Sequence, residues 1–202
     1  MLSMDVNHRA AEKFSRFVDS RRGLWLLSAW AFFEPSFWFI APDMFLWLMC
    51  LYAPKKYIKY FFVTLASALA GAGFYFVLNL FFFEELEKIL LVTPFVNDRM
   101  VLQIQNILAT HGLKGLLFQA FSFISVKIWV HLAVENNIPF QWFIVLTGLS
   151  RALRFFLFAM VFRRIGLRFN VLLGRYFIPF VTLYVLGFIT LLVILETAFV
   201  LK

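Results

Sequence analysis

FEPSFWFIAPD, residues 33–43, is the stretch whose reading decides the fold. It lies inside a long apolar region, yet it carries two carboxylates, Glu34 and Asp43, and two prolines, Pro35 and Pro42. Apolar arms flank it at 24–33 and 44–53. A helix rises about 1.5 Å per residue, so each arm reaches roughly 15 Å, half of a ~30 Å hydrocarbon core. Neither arm crosses a membrane alone. One straight helix through both would hold Pro42 in its interior at a cost of about 3 kcal/mol, and would place two acids in lipid. The stretch therefore predicts a re-entrant helical hairpin over 24–53. Irregular backbone at that depth must be covered by protein or line a water-filled cavity, so positive charge from later in the chain is expected to face the tip.

Composition agrees with a membrane setting. Of 202 residues, 63% are hydrophobic, 29 are Phe, and the mean hydropathy is +0.86. That much apolar surface predicts an all-α polytopic membrane protein of one domain rather than a soluble one. A lone Cys50 allows no intrachain disulfide. The net charge of +8 falls beside apolar spans, which favours anionic lipid headgroups and topology control over nucleic acid.

Outward from the hairpin, residues 1–22 read as a basic amphipathic segment, helical over 5–22. Val6, Ala10, Phe14, Phe17 and Val18 share one face, with Arg9, Lys13, Arg16, Arg21 and Arg22 around it. After the basic loop PKKYIK (54–59), residues 57–83 predict a full span. Ser67 and Gly71, four apart in its small-residue centre, flatten one face for close helix packing. EELEK (84–88) and Pro94 lead to an interfacial helix over 97–111, with Asn97 as N-cap and Gly112 as stop. A second hairpin is expected over 113–135, interrupted by Lys127, and a second span over 138–162 with Arg151 and Arg154 near its middle. Residues 166–202 read as a basic linker and a last span over 176–200.

The halves resemble each other. FWFIAPD (37–43) aligns with FSFISVK (121–127), and Ser67 and Gly71 with Ser150 and Arg154. With one crossing between them the halves enter from opposite sides, an inverted repeat of the kind that places a site at the midplane. Charge agrees with this layout. Twelve of the 19 Lys and Arg residues fall in 1–22, 53–60 and 163–175, which the layout puts on one side with a cytoplasmic N-terminus and a C-terminus opposite.

Five charges are expected near mid-depth: Glu34, Asp43, Lys127, Arg151 and Arg154. Each costs about 2.5–3.5 kcal/mol at the centre of a transmembrane helix unless it finds a partner. Arg151 and Arg154 share a helix face and offer planar donors to the acids of the first hairpin. Three cations against two acids leave one positive charge, which favours an anion. Ion pairs that merely pin the hairpins are the competing reading. His131, four after Lys127, reads as a polar residue near the interface, with a proton relay as the alternative. No HExxH, GxSxG or phosphate-cradling glycine loop occurs, so no catalytic residue, metal or cofactor is expected and an enzyme is disfavoured.

These residues resemble the DedA family, also called VTT or SNARE-associated Golgi domains, and most closely its short YqaA-like branch. The match runs over 24–162. Glu34, Pro42 and Asp43 match the family's first hairpin. Ser67, Gly71 and Tyr75 match its small-residue span, and Phe121 and Lys127 its second hairpin. SRALRFF, with Arg151, Arg154, Phe155 and Phe156, is the most specific piece. Phe39, Ala41, Phe123 and Ser125 stand where the family usually has proline. The resemblance implies two inward-facing hairpins in a bacterial inner membrane. It also implies flipping or scrambling of phospholipid or polyprenyl phosphate, linked to the proton motive force. A homo-oligomer stays open.

Overall fold

The structure, a computed structural model, describes residues 2–36, 42–93, 96–122 and 124–200. The hairpin-tip residues 37–41, Pro94, Phe123 and Lys202 lie outside them, so most of the FWFIAPD/FSFISVK alignment does too, as does the side chain of Glu196. The described residues form ten α-helices and no strand: α1 Leu2–Asp19, α2 Arg21–Phe33, α3 Asp43–Tyr52, α4 Tyr57–Phe81, α5 Phe83–Val92, α6 Asp98–His111, α7 Val126–Glu135, α8 Phe140–Arg168, α9 Asn170–Arg175 and α10 Phe177–Val200. Short 3-10 segments occupy Pro54–Lys56 and Gly112–Ala120. Two helical stretches among the described residues, Pro54–Phe81 and Phe140–Arg168, are long and apolar enough to cross a membrane.

Several boundaries differ from the sequence reading, each for a local reason. The basic amphipathic helix ends at Asp19, because Ser20 accepts the Gly23 N–H and starts a new helix. Arg21 and Arg22 therefore open α2. The span over 57–83 stops at Phe81, and EELEK belongs to the separate helix α5, whose Leu86 and Leu90 are buried. The second span continues to Arg168, six residues beyond the apolar run, with Gly166 buried against the Leu51 backbone and Arg163 over the Tyr57 ring. The first arm of the second hairpin is 3-10 rather than α-helical, following Gly112 at φ +56. The helix over 97–111 matches α6, capped by Asn97 Oδ1 on the Met100 N–H at 2.9 Å.

Helices α4 and α8 lie antiparallel at the centre. Phe61 meets Phe156, Leu69 lies beside Gly148, and Phe76 touches Phe143 and Phe140. Helix α2 runs alongside α4 in the same direction: Ser28 Oγ lies 2.7 Å from Ser67 Oγ, and Gly71 lies against the Phe32 backbone. Helix α3 runs in the direction of α8, with Asp43 at Arg154, Trp47 on Phe158 and Phe162, and Leu51 against Gly166. Since α4 and α8 are antiparallel, α2 and α3 are too. They enter and leave at one end of the central pair and turn at the level of Arg151 and Arg154.

The second half approaches from the other end. Gln119 lies at Thr147 and Ser122 at Arg154, so Gly112–Ala120 ascends beside α8. Helix α7 then runs along α4 to put His131 at Asn79. The packing repeats element by element. α1 touches α2 and α3 as α6 touches Gly112–Ala120 and α7; α2 on α4 recurs as Gly112–Ala120 on α8; α3 on α8 recurs as α7 on α4. Among the described residues two larger apolar cores form, around Trp129, Phe143 and Ile104 and around Leu27, Tyr60 and Phe155, with a smaller third around Leu48, Leu51 and Leu173.

Candidate functional site

The candidate site lies where the two turns face α8. Glu34 caps α2 and Asp43 opens α3. Pro35, next after Glu34, and Pro42, just before Asp43, are both buried. Pro42 adopts φ −67, which suits the helix start, and its carbonyl accepts the N–H groups of Phe45 and Leu46. The two acids are thereby fixed by backbone geometry at either end of the turn.

Both acids meet arginines of α8. Arg151 Nη2 donates to Glu34 Oε1 at 3.3 Å, and Arg154 Nη2 donates to Asp43 Oδ2. Glu34 and Asp43 are 5% and 3% exposed. Arg154 also joins the two hairpins, since its Nη1 donates to the Ser122 carbonyl at 2.8 Å. The spacing of three places both guanidinium groups over one face, and the Phe155 ring lies 5.6 Å from that of Arg151.

Lys127, the second residue of α7, is 2% exposed and lies within electrostatic reach of Glu34. No hydrogen bond or ion pair forms to its ammonium among the described residues, whereas the two arginines are held by the two acids. Glu34 Oε2 and Asp43 Oδ1 are buried and accept nothing from the described residues. The cluster thus combines a surplus cation with open acceptor atoms. It can bind an anion at Lys127.

Ser67 and Gly71 lie apart from the charges and serve packing. A Cβ at Gly71 would overlap the Phe32 carbonyl, so glycine permits the α2 and α4 backbones to touch. Arg154 occupies the position that aligns with Gly71, and there the side chain bridges to the opposite turn instead.

Sequence reasoning missed a polar group at the far end. His131, read from the sequence as a polar residue near the interface, is buried within the protein. Its Nδ1 lies 2.8 Å from Asn79 Oδ1, and its ring stacks on Phe83 at 4.3 Å. Asn79 Nδ2 donates to the Tyr75 carbonyl. An asparagine three residues from the end of an apolar helix was the available signal. Gln119 and Thr147 form a second missed pair, 3.1 Å apart and buried. Among the described residues no group of His, Cys, Asp and Glu is arranged to hold a metal ion.

Comparison of the chain with protein-family models, with curated proteins and with solved structures finds no match.

Proposed function

We propose that this chain is a DedA-like membrane lipid translocase that carries a phosphate-bearing lipid, phospholipid or polyprenyl phosphate, past a charged site at mid-depth. One observation carries the reading: the ammonium of the buried Lys127 feels Glu34 only at a distance and forms no hydrogen bond or ion pair among the described residues, in a cluster whose other two cations are already held by carboxylates. A phosphate would complete that cluster, and intramembrane charge is by default functional. The Phe-rich exterior accepts acyl or isoprenoid chains.

In this reading α4, α8 and α10 are three full spans, and the two hairpins are re-entrant halves of an inverted repeat whose tips meet at the midplane. α1 and α6 lie in the headgroup regions. Val6 and Phe17 of α1, both exposed, face hydrocarbon. The basic ends converge in support of a cytoplasmic N-terminus: Lys56 bonds Asp19 at 2.6 Å, and Arg163 lies over Tyr57. The setting is a bacterial inner membrane.

The test is reconstitution in vesicles with a headgroup-labelled phospholipid and an impermeant quencher. The proposal expects inner-leaflet label to become accessible only in vesicles holding the protein. Protection equal to that of empty vesicles, across phospholipid and polyprenyl phosphate, would reject it.

A second reading has its own support. Both arginine–carboxylate pairs join the first hairpin to α8, so the cluster also serves as a pin for a non-transporting, membrane-homeostasis protein. That reading leaves Lys127 without an explanation.

A further inference from the structure

Beneath α1, about twelve residues of α8 away from the charge cluster, or roughly 18 Å, lies a cavity of about 500 Å³. That is within the usual range of small-molecule sites. α1 roofs it with His8, Glu12 and Asp19, which share one helical face. Lys55 of the 3-10 turn closes one end, and Asn170 and Gly174 of α9 the other. Its floor is apolar, made by Leu51 and Leu173. Gly174 keeps the far end open, since a Cβ there would come within 3.0 Å of the His8 ring. The roof is tied down by Ser15 Oγ, which donates to the Tyr52 carbonyl at 2.9 Å, by the Ile178 N–H, which donates to Asn7 Oδ1 at 3.0 Å, and by Lys56, which donates to Asp19.

The charges on this cavity differ from those at mid-depth. Asp19 and Lys56 neutralise each other at 2.6 Å. Lys55 beside them forms no ion pair among the described residues. Glu12 stands seven residues up α1, about 10 Å along the axis. Its pairing to Arg16 is long at 3.7 Å, and both side chains are well exposed. The cavity therefore offers a positive group at one end, a negative group further along, and an apolar floor between. From this we infer that it is a second lipid site, specific for a zwitterionic phospholipid headgroup. The phosphate pairs with Lys55, the ammonium with the Glu12 carboxylate reaching back along α1, and the ethanolamine methylenes between them lie over Leu51 and Leu173. An anionic headgroup lacking an amine would leave Glu12 facing phosphate oxygens, which disfavours it. The inference rests on the membrane reading above but not on transport.

Native mass spectrometry of the full chain in detergent tests it, with phosphatidylethanolamine and phosphatidylglycerol of matched chains as probes. The wild type is expected to retain one phosphatidylethanolamine, and to hold phosphatidylglycerol more weakly. Lys55→Gln and Glu12→Gln should each weaken phosphatidylethanolamine about tenfold or more, the loss of one charge-assisted hydrogen bond. Gly174→Leu, which fills the cavity and leaves its charges intact, should do the same, with all three variants melting like the wild type. Equal retention of the two lipids, or retention unchanged in the variants, overturns the site. Displacement by soluble glycerophosphoethanolamine at equal concentration would make the free headgroup the ligand and overturn the lipid assignment. Arg154→Gln separates the two proposals: it should retain phosphatidylethanolamine here while losing transport. A wild type that moves no lipid yet keeps this lipid removes the transport reading alone.

Discussion

Arg154 and Asp43 lie 111 residues apart in sequence and are joined directly, guanidinium to carboxylate, where the first hairpin turns. With its other nitrogen Arg154 reaches the Ser122 carbonyl of the second hairpin. One side chain thus ties both halves of the molecule to α8.

Arg154→Ala leaves Asp43 buried beside an empty space. Truncating one partner of a buried pair costs about 3–5 kcal/mol. Arg163→Ala removes a cation lying 4.6 Å from the Tyr57 ring at the basic end, a contact worth about 0.5–1 kcal/mol. Thermal melting in detergent should therefore fall steeply for the first variant and little for the second. Equal shifts would count against the cluster as the junction of the fold.

Close backbone contact supplies a second prediction. Gly71 lies against the Phe32 backbone and Gly166 against the Leu51 backbone, so a methyl group at either forces main chains apart. Gly71→Ala and Gly166→Ala should each destabilise by about 1–3 kcal/mol, the usual cost of overpacking. Gly187→Ala serves as control, since nothing lies within 4 Å of its added Cβ, and it should melt no lower than wild type. If all three variants melt alike, the helices do not approach as closely as described.

Topology is testable by cysteine labelling. Cys50 is buried and unpaired, and Cys50→Ala provides the background. Lys55→Cys, in the basic loop before α4, should react with an impermeant maleimide from one side. Asn136→Cys, after α7, should react from the other. Reaction of both from the same side would mean that one hairpin crosses the membrane.

Much of this architecture was legible in the sequence. Length and apolar content located α4 and α8, and Pro42 with two acids broke the first apolar run into arms. The expectation that charges within apolar runs find partners paired Arg151 and Arg154 with Glu34 and Asp43, as the structure does. Other features left weaker traces. EELEK suggests no element of its own in the sequence because its helix buries only Leu86 and Leu90. The end of α8 was hidden because hydropathy stops at Phe162, whereas the helix continues to Arg168. The 3-10 form of Gly112–Ala120 has no signature in residue type. The burial of His131 depends on Asn79, 52 residues away, and no local pattern reports such a partner.

Ion-pair exchange distinguishes pinning from function. Asp43→Arg with Arg154→Asp restores opposite charges across the same gap. The double variant should melt closer to wild type than either single one, because buried partners couple. Transport should not return with stability, since the acid would then stand on α8 and the cation at the turn. Recovery of both together would favour a mere pin in a site indifferent to geometry.

Lys127→Gln tests the central claim most directly. A buried ammonium without a hydrogen bond or direct ion pair raises the energy of the resting fold, so its neutral replacement should melt at or above the wild-type temperature. If that ammonium receives the lipid phosphate, the same variant should move headgroup-labelled lipid between leaflets about tenfold more slowly or worse, the loss of one charge-assisted contact. Melting and leaflet exchange measured on the same vesicle preparation give the answer. Retained or raised stability with transport abolished is the predicted result. Wild-type transport in Lys127→Gln, at any melting temperature, would contradict the account.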